Sequence, residues 1–171
     1  MFKLKSVFFA WGIAIALSII FTASQQVPLA YAAVINVSGN ITTNTTWTAG
    51  NVYYVVGDVT VLYGVTLTID PGAIVKFQNN RRLIVAGKLT AIGTPGQRVY
   101  FTSYRDDLIG GDTNGDGPTT GGAADWGWIE FSLTSDPASI IEYAVIQYGG
   151  YVYYNVYRGN IYVGLSLLAI I

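Results

Sequence analysis

Short apolar triplets, broken every few residues by turn formers, constrain this chain more than any other feature. From Val52 to Phe101 apolar residues recur at period two, with little sign of a 3.6-residue stripe, as in short half-buried strands. Val59-Thr60-Val61, Leu67-Thr68-Ile69 and Leu89-Thr90-Ala91 share one pattern; Val75-Lys76-Phe77, Val99-Tyr100-Phe101 and Ile129-Glu130-Phe131 share another. Gly57-Asp58, Tyr63-Gly64, Asp70-Pro71-Gly72, Asn79-Asn80, Ala86-Gly87 and Gly93-Thr94-Pro95-Gly96 separate them, because Gly and Asn accept positive φ and Pro fixes φ. Such strands are too short for most sandwiches.

Two of the triplets return at offsets that suggest a repeat. Leu67-Thr68-Ile69 returns as Leu89-Thr90-Ala91 at an offset of 22, and Val75-Lys76-Phe77 as Val99-Tyr100-Phe101 at an offset of 24. That spacing predicts stacked coils of a parallel solenoid, with inward apolar ladders and outward Thr, Lys and Tyr. Gly57 to Val61, Gly64 to Gly72, Leu89 to Thr94, Ala124 to Phe131 and Ile141 to Gly150 together resemble the right-handed parallel β-helix of large prokaryotic surface and secreted proteins. The likeness covers Ile35 to Gly150, and Trp128 stands where that family would place a small residue. The resemblance implies an all-β, right-handed parallel β-helix (β-solenoid) over residues 52–171, interrupted by an insertion at 105–125.

Composition removes whole classes of chemistry. Among 171 residues there is no His and no Cys, which excludes Ser-His-Asp and Cys-His relays, disulfides, and His/Cys zinc, haem or iron–sulfur sites. Charged residues make up 11% and hydrophobic residues 51%, so the bulk of the chain is expected to pack into one domain or part of one. Net charge is −1; setting aside Lys3 and Lys5 leaves seven basic against ten acidic residues, with no basic stripe for a phosphate backbone. Nucleic acid is not an expected partner.

Residues 1–32 have the form of a secretory leader and are expected to be helical. Lys3 and Lys5 precede the apolar run Val7 to Phe21, and Ala30-Tyr31-Ala32 offers signal peptidase a small-x-small site before Ala33. The alternative is a retained anchor, although the run is short for a span. Membrane contact is expected only through this leader before cleavage, and the mature chain is expected to be secreted or on the cell surface. Asn36, Asn40 and Asn44 begin Asn-x-Ser/Thr triplets, glycan acceptors only in a host with the machinery. Residues 33–51 are Thr/Asn-rich and read as an N-terminal cap with Trp47 as its plug, or else as a linker. Past Tyr151 the chain stays apolar and strand-like up to Ile171, which suggests a truncated solenoid.

The insertion carries the candidate site. Asp112, Asn114 and Asp116 alternate before Gly117, as in the first half of a calcium loop, where side-chain oxygens in a tight turn converge on a hard cation. Ala123 occupies the position of the closing bidentate Glu, which excludes an EF-hand and leaves closure to Asp106, Asp107 or Asp125. Calcium, in a structural role, is the expected ion; the alternative is an ordinary exposed acidic turn. Trp126 is expected to anchor the coil beside it.

Three functions follow: an exported non-catalytic scaffold or adhesive segment touching surface glycans or other surface proteins, the N-terminal part of a polysaccharide lyase or hydrolase, or a carbohydrate-binding module. β-Helical hydrolases as a family pair Asp with a Gly-His-Gly motif that a chain without His lacks. The β-helical lyases use calcium with an Arg base, a role Arg105 could imitate. Tyr143, Tyr148, Tyr151, Tyr153, Tyr154, Tyr157 and Tyr162 could offer sugar-stacking rings, or serve as ordinary strand formers.

Overall fold

The computed structural model describes residues 33–153 and 156–164. Residues 1–32, expected from the sequence to be a leader, together with Tyr154, Asn155 and the residues from 165 on, lie outside them. The described residues form strands joined by turns and contain no helix, hence none long and apolar enough to cross a membrane. The fold is all-β and mostly parallel.

The larger sheet is organised around β3 (Asn51–Val61), the longest strand. Its first half pairs with β5 (Ile74–Phe77) and its second half with β6 (Leu83–Val85), so one strand feeds two branches. One branch continues through β8 (Val99–Ser103) to β11 (Ala144–Ile146), the other through β9 (Ile129–Phe131) to β14 (Ile161–Val163). Along the opposite edge of β3 runs β1 (Ala33–Ile41). A second parallel sheet stacks β2 (Thr45–Trp47), β4 (Thr66–Ile69), β7 (Lys88–Ile92) and β10 (Ile140–Glu142). The antiparallel pair β12 (Tyr151–Tyr153) and β13 (Val156–Arg158) stands apart.

Period two becomes burial directly. In β4 and β7, Leu67, Ile69, Leu89 and Ala91 point inward and are fully buried, while the intervening threonines are half-exposed. Leu67 stands opposite Leu89, and Trp47, Ile69 and Ala91 form one column. In the larger sheet Val59, Leu83 and Ile129 make an equivalent apolar column, as do Tyr53, Val75 and Phe101. Burying each Val, Leu, Ile or Phe stabilises the fold by about 1.5–3 kcal/mol before ordering entropy is counted. Trp47 stacks on Tyr53 with centroids 4.8 Å apart, and the Tyr53 hydroxyl accepts the Thr48 backbone N–H at 2.7 Å.

The parallel β-helix implied by the family resemblance is not what forms, and the register shows why. A β-helix repeats equivalent coils, whereas facing residues here are separated by very unequal lengths of chain. Ala33 faces Asn51 and Leu67 faces Leu89, but Val75 faces Phe101, Ile129 faces Ile161, Val99 faces Ala144, and Thr90 faces Ile140. The connections run from the single residue between β10 and β11 to the long strandless stretch between β8 and β9. The result is a curled half-barrel of two parallel sheets. Short triplets with turn signals mark parallel strand pairing locally, but a constant period also needs constant turns, which this chain lacks.

Candidate functional site

The Asp-rich insertion leaves the end of β8 and returns to the core at Trp126, shortly before β9. At its start Asp106 turns inward: it is 1% exposed, and one carboxylate oxygen, Oδ2, accepts hydrogen bonds from Thr102 Oγ1 at 2.6 Å and Gln147 Nε2 at 2.8 Å. At its end Asp125 accepts Ser103 Oγ at 2.7 Å and the Gly122 N–H at 2.8 Å, which ties the exit of the loop to its entrance. Trp126 then inserts, fully buried, with its ring stacked on Phe77 at 4.2 Å and its indole N–H donating to Gln147 O at 2.8 Å.

Between these anchors the remaining acids converge. Carboxylate oxygens of Asp107, Asp112 and Asp116 lie within 4.8 Å of one another. Asp107 Oδ2 accepts the Thr119 backbone N–H at 2.6 Å, whereas its Oδ1 is buried without a hydrogen-bond partner among the described residues. Asn114 Oδ1 is likewise buried and unpartnered. Asp112 accepts the N–H groups of Gly115 at 2.7 Å and Gly117 at 3.0 Å, which shape the turn. Asp106 and Asp125, committed to the frame, stand outside this convergent group.

One participant is not evident from sequence. Lys76, on β5, belongs by alternation to the outward row, yet it is fully buried because the insertion lies over it; its ammonium donates to Gly111 O at 2.5 Å. Desolvation lowers its pKa, and Asp107, Asp106 and Asp112 oppose that shift. Gly110, at φ 75°, lets the loop come this close, since a Cβ there would stand 3.0 Å from Val52 Cγ2 and 3.1 Å from Ile74 Cδ1. A lone charge flanked by Val75 and Phe77, followed by a polar insertion after the neighbouring strand, was the available signal.

Backbone donors, Gly117 first, hold the Asp112 carboxyl below the usual 3.8. A depressed folded-state pKa contributes stability that is complete above the unfolded value and is lost as pH falls through the lowered one. Wild type is therefore expected to lose more melting temperature than Asp112→Asn as pH is taken below 3.8, measured by thermal scans across that range. Parallel pH profiles for the two proteins would show that these hydrogen bonds do not persist in solution.

The other candidate residues are dispersed. Arg105 lies against Tyr104, its Nε donating to the hydroxyl at 2.9 Å, and does not pair with the acids. Tyr143 and Tyr162 are exposed and Tyr148 is half-buried. Tyr151, Tyr153 and Tyr157 lie on β12 and β13. Asn36 and Asn40 are exposed on β1, whereas Asn44 uses its side-chain oxygen to accept the Thr66 N–H at 2.9 Å. Compared with protein-family models, characterised proteins and solved structures, the chain matches none.

Proposed function

We propose that this chain is an exported, non-catalytic β scaffold or adhesive segment of a cell-surface or extracellular protein, and that its Asp-rich loop takes calcium as a structural ion. The convergence of Asp107, Asp112 and Asp116, with Asp107 Oδ1 buried and lacking a donor, carries the calcium reading. An all-oxygen donor set of this kind suits a hard cation. The leader-like segment supports export, and surface glycans or other surface proteins are the partners this reading implies. Its lyase alternative is weakened by Arg105, whose guanidinium is engaged with Tyr104 by a hydrogen bond and by ring stacking at 5.3 Å.

Calcium titration followed by thermal melting tests the reading. With affinity of about 10⁻⁴ to 10⁻³ M, as in extracellular modules, 10 mM calcium stabilises the folded state by roughly 1.4–2.7 kcal/mol. At about 2–4 °C per kcal/mol for a chain of this size, the melting temperature should rise by about 3–11 °C. Asp112→Ala/Asp116→Ala should abolish the rise. A folded wild type with no calcium response would make the loop an ordinary acidic turn.

A further inference from the structure

The loops joining β3 to β4, β6 to β7 and β9 to β10 stack on one another and line an open polar cavity of about 350 Å³. It lies outside the Asp-rich loop. We propose that this cavity binds one neutral sugar ring of a glycan; the inference deepens the glycan-partner reading above by giving it a site.

Its walls are fixed by the backbone. Val65 N–H donates to Leu62 O at 3.0 Å, Lys88 N–H to Val65 O at 2.8 Å, and Asp136 N–H to Gly87 O at 2.8 Å, so each loop is tied to the next. Thr134 Oγ1 adds a bond to Ala86 O at 3.2 Å. A cavity held by main-chain bonds exists before a ligand arrives, and this volume lies near the low end of small-ligand sites.

The side chains define the ligand. Lys88 lines the cavity, and its ammonium has no ion pair or hydrogen bond among the described residues. Asp136 lines it too, with Oδ1 accepting the Ala138 N–H and Oδ2 free of any such donor. One cation and one anion leave the cavity electrically balanced, which disfavours both phosphate, repelled by Asp136, and metal ions, repelled by Lys88. A sugar ring carries hydroxyls that can serve each group, accepting from an ammonium and donating to a carboxylate. Thr66 adds a further hydroxyl, and Tyr63, 79% exposed at the rim, offers a ring face to the C–H face of a pyranose.

The test titrates the full chain with tetrasaccharides of glucose, mannose, galactose and N-acetylglucosamine, alongside a polygalacturonate oligomer and inorganic phosphate, and follows backbone amide shifts. At least one neutral oligosaccharide should move the amides of Gly64, Gly87 and Lys88 and saturate at about millimolar concentration. Tyr63→Ala and Lys88→Ala, both outside the core, should each weaken that binding about tenfold with the melting temperature and calcium response unchanged. Shifts confined to Tyr143 and Tyr148 would keep a glycan partner and remove this cavity. Response to phosphate or polygalacturonate alone, or binding unaltered in both variants, would overturn the proposal. No response to any saccharide would remove the cavity and the glycan partner together, leaving the calcium-bound scaffold to its own test.

Discussion

Trp126→Ala is expected to cost about 3–5 kcal/mol of stability, the range for deleting a large aromatic from a packed interior. The ring has no solvent exposure and stacks nearly parallel to Phe77, at an interplanar angle of 10°. Gly149 is close enough that a Cβ there would come within 2.7 Å of the indole. Removing the ring therefore opens a void beside Phe77, whose strand pairs on both edges and resists collapse. It also deprives Gln147 O of its indole donor. Trp126→Phe keeps an aromatic face and loses that hydrogen bond, so its expected cost is about 1–2 kcal/mol. Urea denaturation followed by circular dichroism reads both. An alanine variant within about 1 kcal/mol of wild type would mean that the interior closes over the missing ring and that the indole does not anchor the return of the insertion.

The strands were legible because their signal is local. Leu67-Thr68-Ile69 and Leu89-Thr90-Ala91 form β4 and β7 in the expected register, with inward and outward residues assigned correctly. Triplet likeness misplaces the next pair: it sets Val75-Lys76-Phe77 against Val99-Tyr100-Phe101, but Val75 faces Phe101 and Phe77 faces Ser103. A shift of two keeps every side chain on its own face, so alternation could not reveal it. The overall curl was less legible still, because it depends on connection lengths that no triplet encodes.

At the acidic loop, sequence spacing singled out Asp112 and Asp116, whose carboxylates lie near that of Asp107, but could not sort the flanking acids. Asp106 and Asp107 are neighbours in sequence, yet one faces Thr102 and Gln147 in the interior while the other faces Asp112 and Asp116. Adjacent side chains diverge, and the inward one is held by Thr102 and by Gln147, 41 residues away. Lys76 was hidden for the same reason. Its burial is imposed by the insertion lying over β5, a contact 35 residues away in sequence.

The stacked loops make a second large effect. Gly87→Ala is expected to destabilise the fold by about 3 kcal/mol, from overpacking and the hydrogen bonds displaced with it. A Cβ at this position would collide with the carbonyl oxygens of Leu62 and Val65. Neither can retreat freely: Leu62 O accepts Val65 N–H at 3.0 Å, and Val65 O accepts Lys88 N–H at 2.8 Å. Gly87 cannot retreat either, since its own N–H donates to Val61 O at 3.0 Å and its carbonyl accepts Asp136 N–H. Gly96→Ala is the matched control, because a Cβ there meets nothing within 4 Å and the backbone φ is not positive; its effect should fall within about 0.5 kcal/mol of zero, or stabilise slightly by restricting the unfolded chain. Denaturant midpoints of the two variants compare the same added methyl in crowded and open backbone. Equal midpoints would show that the three loops are not packed closely enough for a glycine to be required, and the rigidity ascribed to the cavity wall would fall with it.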